Sequence, residues 1–521
     1  MDALADSLKV IADWITQHIT MWALIATGLF LTVVTRGVQV RHLPTMIRQV
    51  ASSRSGAAGG ISSFQAFAIS LAARVGVGNV FGVAAALLYG GPGAVFWMWV
   101  VALVGMATAF FEATLAQIFK VRAPDGSFRG GPAFYMARGM GGAGGRVMAG
   151  VFAVITLVTC GFIITSVQSN AVAGTLVAAL GGGEGSALPG FGGLSAAQLV
   201  VAGLVLVLTA VVVFGGIRAV ARVTEWMAPV MALIYIVLVA VVCLLNLGDF
   251  WRVIGRIISS AFAPEPLVGG LGGGVLAAVI NGTKRGLFSN EAGQGTAPNA
   301  AATATVAHPV QQGLIQSLGV FVDTIVVCTA TAFVILIAGP DTWTAPGANP
   351  STLTTLAIAR GLGGWTVLPM AVLIFVLAYS SIIAAYVYTD VNMDYLTGGR
   401  RWASWTVRVV SVASATAGAV LSLDVVWNAV DIAMAVMTLT NLVALIRLHR
   451  WGAGALRDYE DQLRAGAAEP VFRGRDNPRL PGDVPGGVWS SSDDDVTAAD
   501  ADDGSAPAPP AASPAPATTE E

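Results

Sequence analysis

Two stretches of this 521-residue chain put glycines and polar side chains where a membrane-crossing helix wants hydrocarbon. RVGVGN, residues 74–79, lies inside the apolar run ISSFQAFAISLAARVGVGNVFGVAAALLYGG, and NGTKRGLFSNEAGQGTAPNAAA, residues 281–302, closes a second run of the same kind. Backbone at membrane depth must satisfy its own N–H and C=O groups unless it lines a cavity or is buried in protein. Gly76 and Gly78 therefore mark a deliberate break or a close helix crossing, and Gly78 with Gly82 has the four-residue spacing of small-residue packing. Arg74 and Asn79 tip the reading to a break, because packing needs neither a charge nor an amide there. The second stretch, with Gly282, Gly286, Gly293 and Gly295 among Thr283, Lys284, Arg285, Ser289, Asn290 and Glu291, cannot be a continuous lipid-facing helix. At such breaks, half-helix N-termini offer N–H groups to an anion, and freed carbonyls suit an ammonium or a small cation. A solute carrying both charges is an amino acid.

The elements that must hold these breaks follow from composition. The chain is 55% hydrophobic and 11% charged, with a mean hydropathy of +0.73, against roughly 25% charged in soluble domains. It reads as an integral membrane protein. A net charge of -2 leaves no basic surplus for nucleic acid. Cys160, Cys243 and Cys328 are scattered in apolar runs and read as small buried hydrophobes. No basic segment followed by an apolar core and cleavage site opens the chain, so no cleaved signal peptide is expected.

Against the ~20 residues needed to span a bilayer, about eleven stretches qualify. They lie near 20–40, 61–90, 92–119, 147–180, 196–215, 224–247, 271–300, 309–338, 363–395, 402–422 and 424–447. The two interrupted spans are the second and the seventh. The expected fold is thus an all-α polytopic membrane protein with one leading helix and two five-helix halves, 61–247 and 271–447. Because five is odd, the halves run in opposite orientations, and paired broken helices in inverted halves point to a secondary-transporter site at the midplane. Arg41, Arg48, Arg54, Lys120, Arg122, Arg129, Arg138, Arg146, Arg218, Arg222, Arg400 and Arg401 fall on one side if residues 1–19 are extracytoplasmic. That rule puts the C-terminus in the cytoplasm of a cell-membrane protein. Arg252, Arg256 and Arg360 are exceptions assigned to external surface helices. From about Gly452 the chain turns polar, then acidic and rich in Pro and Ala, and 452–521 reads as a disordered cytoplasmic tail, either simply solvated or the docking point of a regulator.

GGPGAVFWMWVVALVGMATAFFEA (90–113) resembles the signature of the alanine or glycine:cation symporter family. SSFQAFAISLAARVGVGN (62–79), DGSFRGGPAFYM (125–136), NGTKRGLFSNEAGQGTAP (281–298), LGVFVDT (318–324) and AYSSIIAAYVYTD (378–390) resemble its other blocks, in order, over about residues 15–450. The resemblance implies a five-plus-five inverted-repeat fold of the leucine-transporter type, a type that general accounts of broken-helix transporters use as their example. It also implies that the substrate carboxylate meets N–H groups at Val77 and Gly78. Many relatives carry Thr at the position of Val77, so a side-chain hydroxyl is missing here.

Na⁺ is a hard ion that takes about five or six oxygens. Ser380 and Ser381 in the ninth span would supply hydroxyls, and the carbonyls of Ala72 and Val75 the rest. In the resembled fold the first and eighth core helices build such a sodium site. The alternative is that both serines bond back to their own helix. Gln168 and Asn170 are substrate contacts or interhelical hydrogen bonds, and Gly282, Thr283, Gly286 and Asn290 on the second broken span are further candidates for the substrate or its passage. Asp323 is an isolated carboxylate where an unpaired charge costs about 2.5–3.5 kcal/mol. Pairing with Arg74 or Arg285 is expected, with a coupling role as the alternative, and Glu112 and Glu291 pose the same question. Trp97 and Trp99 read as packing groups and interface anchors.

These features together imply a symporter that imports a small neutral amino acid, alanine or glycine, with Na⁺ or H⁺. The alternatives are another small solute on the same fold, or an ion channel, for which no repeated pore loop is present. An enzyme is not expected: the four histidines, His18, His42, His308 and His449, are scattered, and neither an HExxH nor a GxSxG motif occurs.

Overall fold

The computed structural model describes residues 2–53, 61–123, 126–179, 194–263, 274–345, 347–420 and 423–489. Helices dominate, joined by one antiparallel hairpin that pairs Val121 with Arg129 and Arg122 with Phe128. In chain order the helices that frame the site are α1 (Val10–Val34), α2 (Ser63–Arg74), α3 (Gly78–Gly90), α4 (Gly93–Ile118), α5 (Gly142–Val177), α6 (Ala196–Val213) and α7 (Gly216–Leu245). There follow α8 (Leu247–Ala261), α9 (Gly274–Asn290), α10 (Ala297–Ala301), α11 (Pro309–Ile337), α12 (Gly364–Thr397), α13 (Arg401–Gly418) and α14 (Val430–Arg464).

Helix starts are written locally. Ser62 opens α2 by accepting from Gln65 N–H at 3.1 Å, while Gln65 Oε1 accepts from Ser62 N–H at 3.0 Å. Ser195 and Gln198 do the same for α6. At α11, Pro309 supplies the fixed φ of a first helical residue behind His308. Gly398, in the left-handed region at φ 66°, stops α12.

Among the described residues, eight helices are long and apolar enough to cross a bilayer, and α2 with α3, bent by 44°, makes a ninth. The expected spans 271–300 and 402–422 are present as α9 with α10 and as α13, but fall short by that measure. α9 stops at Asn290 and carries Lys284 and Arg285, and α13 carries Arg401 and Arg408. The leading span starts earlier than position 20, because helix runs unbroken through residues 2–34. Asp13, which hides this span in a hydropathy reading, is ion-paired with Lys284. Arg252 and Arg256 do lie on a separate amphipathic helix, α8, which buries Val253, Ile257 and Ala261 and leaves Trp251 exposed.

Residues 452–489 are not a tail. α14 continues to Arg464, and the chain then folds back. Phe472 N–H donates to Ala307 O at 3.0 Å, and Trp489 Nε1 donates to the carbonyls of Gln117 and Ile118 at 3.1 and 3.2 Å. Residues 490–521, which hold the acidic run, lie outside the described residues.

The two interrupted helices lie side by side and antiparallel. Ser70 on α2 reaches Ala297 O on α10 at 3.5 Å. At the other end, a Cβ on Gly78 of α3 would stand 3.1 Å from Ser289 Cα of α9. That close approach explains why position 78 has no side chain.

Candidate functional site

The first break occupies three residues. α2 ends at Arg74, and Val75 (φ -77°, ψ 79°) turns its carbonyl away from the helical direction. Gly76 N–H is shared between Asn79 Oδ1 and Arg74 O, both at 2.9 Å. Val77 N–H is taken by Gln168 Oε1 of α5 at 3.3 Å. Both N–H groups that helix continuation would have used thus point at amide oxygens, which are exchangeable neutral acceptors.

Against this break lie the two serines of α12. Ser380 Oγ is 3.0 Å and Ser381 Oγ 2.9 Å from Ala72 O, and Ser381 Oγ is also 3.0 Å from Ala73 O. Each serine reaches Leu377 O of its own helix as well, at 2.7 and 3.3 Å, so the back-bonding and the interhelical readings are both present. Hydroxyl and carbonyl oxygens are the donor chemistry a hard monovalent ion takes. A Cβ on Gly76 would overlap Ser381 Oγ and stand 3.4 Å from Gln168 Oε1, so this glycine is where the serine pair and the amide meet.

The second break is longer, from Glu291 to Thr296, and three of its residues have positive φ: Glu291 (56°), Gly293 (87°) and Gly295 (81°). Glu112, fully buried on α4, accepts from Gly293 N–H at 3.1 Å and Gly295 N–H at 2.8 Å. Asn441 on α14 donates to Glu112 at 2.6 Å and to Gly293 O at 3.0 Å, and Tyr135 donates to Asn441. Glu291 accepts from Thr296 at 2.9 Å and Tyr388 at 3.3 Å.

Other expected residues fall elsewhere. Gly282 and Gly286 face α4 about two and a half and one and a half turns before the break. A Cβ on Gly282 would stand 2.5 Å from Ala94 O, and one on Gly286 would stand 3.5 Å from Met98 Cα. They are crossing glycines, and the structure does not bring them to the break. Thr283 lines a small cavity with Thr16, Thr20 and Asp431. Asn170 donates to Gly418 O at 3.3 Å, an interhelical bond. Trp97 and Trp99 donate to Ala261 O and Thr329 Oγ1 at 3.3 and 2.8 Å.

The expected pairing of Asp323 with Arg74 or Arg285 is not what the structure shows. Asp323 is held by Asn79 (2.6 Å), Ser289 (2.8 Å) and Thr324 (2.8 Å). Arg74 donates to Gln316 O at 3.1 Å and lies so close to Gly319 that a Cβ there would overlap it. Arg285 faces Asp431 at 3.4 Å. Neutral donors suffice for a buried carboxylate, which is why charge counting alone paired the wrong residues. Ser289, Thr324 and Glu112 as a cap were missed because their partners are fixed only by the fold.

Comparisons with known proteins show the family and the fold. Residues 1–474 match the model of the sodium:alanine symporter family. The chain is 40% identical over 482 residues to the amino-acid carrier protein AlsT of Bacillus subtilis (strain 168), covering 92% of this chain and 97% of that protein. It is 38% identical over 464 residues to the probable sodium/glutamine symporter GlnT of the same organism, covering 88% and 91%. The crystal structure of MhsT in complex with L-phenylalanine superposes with a TM-score of 0.54 at 15% identity, covering 76% of this chain and 91% of that one. The fold is therefore of the leucine-transporter type, the protein is a transporter and not an enzyme, and the chain belongs to the sodium:alanine symporter family.

Proposed function

We propose that this protein imports a small neutral amino acid, alanine or glycine, together with Na⁺ across the cell membrane by alternating access, with its N-terminus outside and its C-terminus in the cytoplasm. The single observation that carries the reading is the meeting of two chemistries at Gly76: serine hydroxyls and the Ala72 carbonyl on one side, the Val77 N–H held by Gln168 on the other. An incoming carboxylate takes the Val77 and Gly78 N–H groups in place of the Gln168 amide oxygen, a charge-assisted bond replacing a neutral one. Na⁺ gathers Ser380, Ser381, Ala72 and Val75. Each ligand favours the same arrangement of the break, so binding of one tightens binding of the other, and the inverted halves rock around the pair. H⁺ in place of Na⁺ is the less favoured coupling, because hydroxyl and carbonyl oxygens are metal ligands and poor proton acceptors.

A larger neutral substrate such as glutamine is the second reading, favoured by the name of the GlnT relative. Radiolabelled alanine uptake into proteoliposomes with an imposed Na⁺ gradient tests the proposal, with glycine and glutamine as competitors. Uptake that ignores the gradient contradicts symport, and stronger competition by glutamine than by glycine contradicts the substrate size.

A further inference from the structure

Asp323 lies on α11 within a wide, π-helical stretch, Phe321–Cys328, and is fully buried. Such a wide turn displaces side chains from regular helical positions and is found disproportionately at functional sites. One carboxylate oxygen accepts from Asn79 Nδ2 at 2.6 Å, and the other from Ser289 Oγ and Thr324 Oγ1, both at 2.8 Å. These neighbours lead on in two directions. Asn79 spends its Oδ1 on the N–H of Gly76 at the first break, at 2.9 Å. Thr324 Oγ1 accepts from Asn290 Nδ2 at 3.2 Å, and Asn290 Oδ1 accepts from the N–H of Ala292 at the second break, at 3.0 Å. A continuous line of five hydrogen bonds thus runs from the backbone of one interruption to the backbone of the other through a helix that is itself unbroken.

We propose that Asp323 is a positioning residue that braces the first break against the pinned second one, so that the arrangement the cation selects at the first break is held there and sets substrate affinity. The proposal rests on the Na⁺-linked reading above. Asp323 is bonded to Asn79, Ser289 and Thr324, and not to the serines, the Ala72 carbonyl or the Val77 N–H assigned above to the ligands. Its carboxylate is the one member that faces donors from both interrupted helices at once, and asparagine in its place would turn one acceptor oxygen into an amide donor aimed at another donor. Thr324 uses its hydroxyl in both senses, donating to Asp323 and accepting from Asn290, so valine at that position cuts the line while keeping shape and charge. Coupling through packed, hydrogen-bonded elements has physical content only when a measured linkage changes with the link.

The experiment measures radiolabelled alanine binding to the purified full chain in detergent, without Na⁺ and at saturating Na⁺. The ratio of the two dissociation constants is the linkage. The expected result is a linkage reduced roughly tenfold in Asp323→Asn and about threefold in Thr324→Val, with Na⁺-free affinity held within about threefold. A residue that only filled the core would change thermal stability and leave the ratio alone. Wild-type linkage in both variants overturns the proposal and leaves symport standing. Absence of linkage in the wild type removes the symport reading and the proposal with it. If Asp323→Asn does not fold, Thr324→Val decides alone.

Discussion

The two breaks solve one problem differently. The first interrupts its helix over three residues and hands its free N–H groups to amide oxygens of Asn79 and Gln168. The second takes six residues, places Glu291, Gly293 and Gly295 at positive φ, and hands its N–H groups to the carboxylate of Glu112. Charge-assisted bonds are about twice as strong as neutral ones, and a carboxylate buried with three donors does not yield them to a ligand. The second break is therefore pinned scaffold. The first is held by partners that a carboxylate or a metal ion outcompetes, and it is the one beside Ser380 and Ser381. Where a structure keeps its strongest acceptors shows which backbone it does not intend to exchange.

If that contrast is right, Glu112→Ala has the largest effect, because it strands buried N–H groups and the Asn441 amide. With about 1.5–3 kcal/mol per bond to a charged group, a loss of at least about 3 kcal/mol is expected, read as a collapsed melting temperature and little monodisperse protein. Survival of the variant with wild-type stability would make the second break no more pinned than the first. Next comes Ser381→Ala, which removes one oxygen from the cation and should raise the Na⁺ concentration for half-maximal alanine uptake about tenfold, close to 1.4 kcal/mol. Thermal stability should fall by no more than about 1 kcal/mol, since Ser380 still holds Ala72 O and the serine's own-helix bond is of the optional kind.

Gln168→Ala sharpens the distinction on the substrate side. The bond lost is the one an incoming carboxylate has to displace and is worth roughly 1 kcal/mol, so KM for alanine should fall about fivefold, with the Na⁺ dependence retained. An equal effect on both ligands would mean that the amide braces the whole break and does not hold the substrate's place.

The last effect is on stability alone, with the smallest expected effect on ligand binding, and serves as a control. Lys120, just past the end of α4, is pushed by burial, and secondarily by Arg122, from 10.5 down to about 7. Its ammonium bonds Ala304 O at 3.0 Å and sits 4.0 and 4.9 Å from the rings of Phe128 and Trp489. Between about pH 7 and pH 10.5 the unfolded chain holds this proton and the folded chain does not, so stability rises with pH through that window. Melting curves at pH 7 and pH 9 should show a gain for the wild type that Lys120→Met lacks, while the alanine affinity of both stays the same.

How much of this was readable in the sequence depends on whether the cause was local. The interruptions were, since glycines beside Arg74, Asn79 and Asn290 have no reason to sit in lipid, and their placement as second and seventh spans required the inverted halves. Ser380, Ser381 and Ala72 came through resemblance, and the structure brings them within 3.0 Å. Gly282 and Gly286 lie before the break and not in it, because the same residue marks a break and a close crossing, and only their neighbours on α4, Ala94 for the first and Met98 for the second, tell the two apart. Asp13 concealed the start of the leading span because its partner, Lys284, is 271 residues away. Residues 465–489 looked like tail because few of them are apolar, yet Phe472 and Trp489 are enough to anchor them: Phe472 against His308, Trp489 on the end of α4. His308 shows the same long-range logic. Its Nδ1 accepts Val310 N–H, so the proton sits on Nε2 facing Asp458 at 3.1 Å, and burial lowers the pKa of the ring in keeping with that neutral form.

The most direct test is Gly76→Ala, assayed for alanine binding with and without Na⁺. The backbone at this position needs no positive φ, so the fold should persist. The added methyl falls on Ser381 Oγ and against Gln168 Oε1, and the predicted result is that Na⁺ no longer tightens alanine binding and that alanine itself binds at least about tenfold more weakly. A folded Gly76→Ala protein with wild-type alanine affinity and wild-type Na⁺ dependence would place both ligands somewhere else.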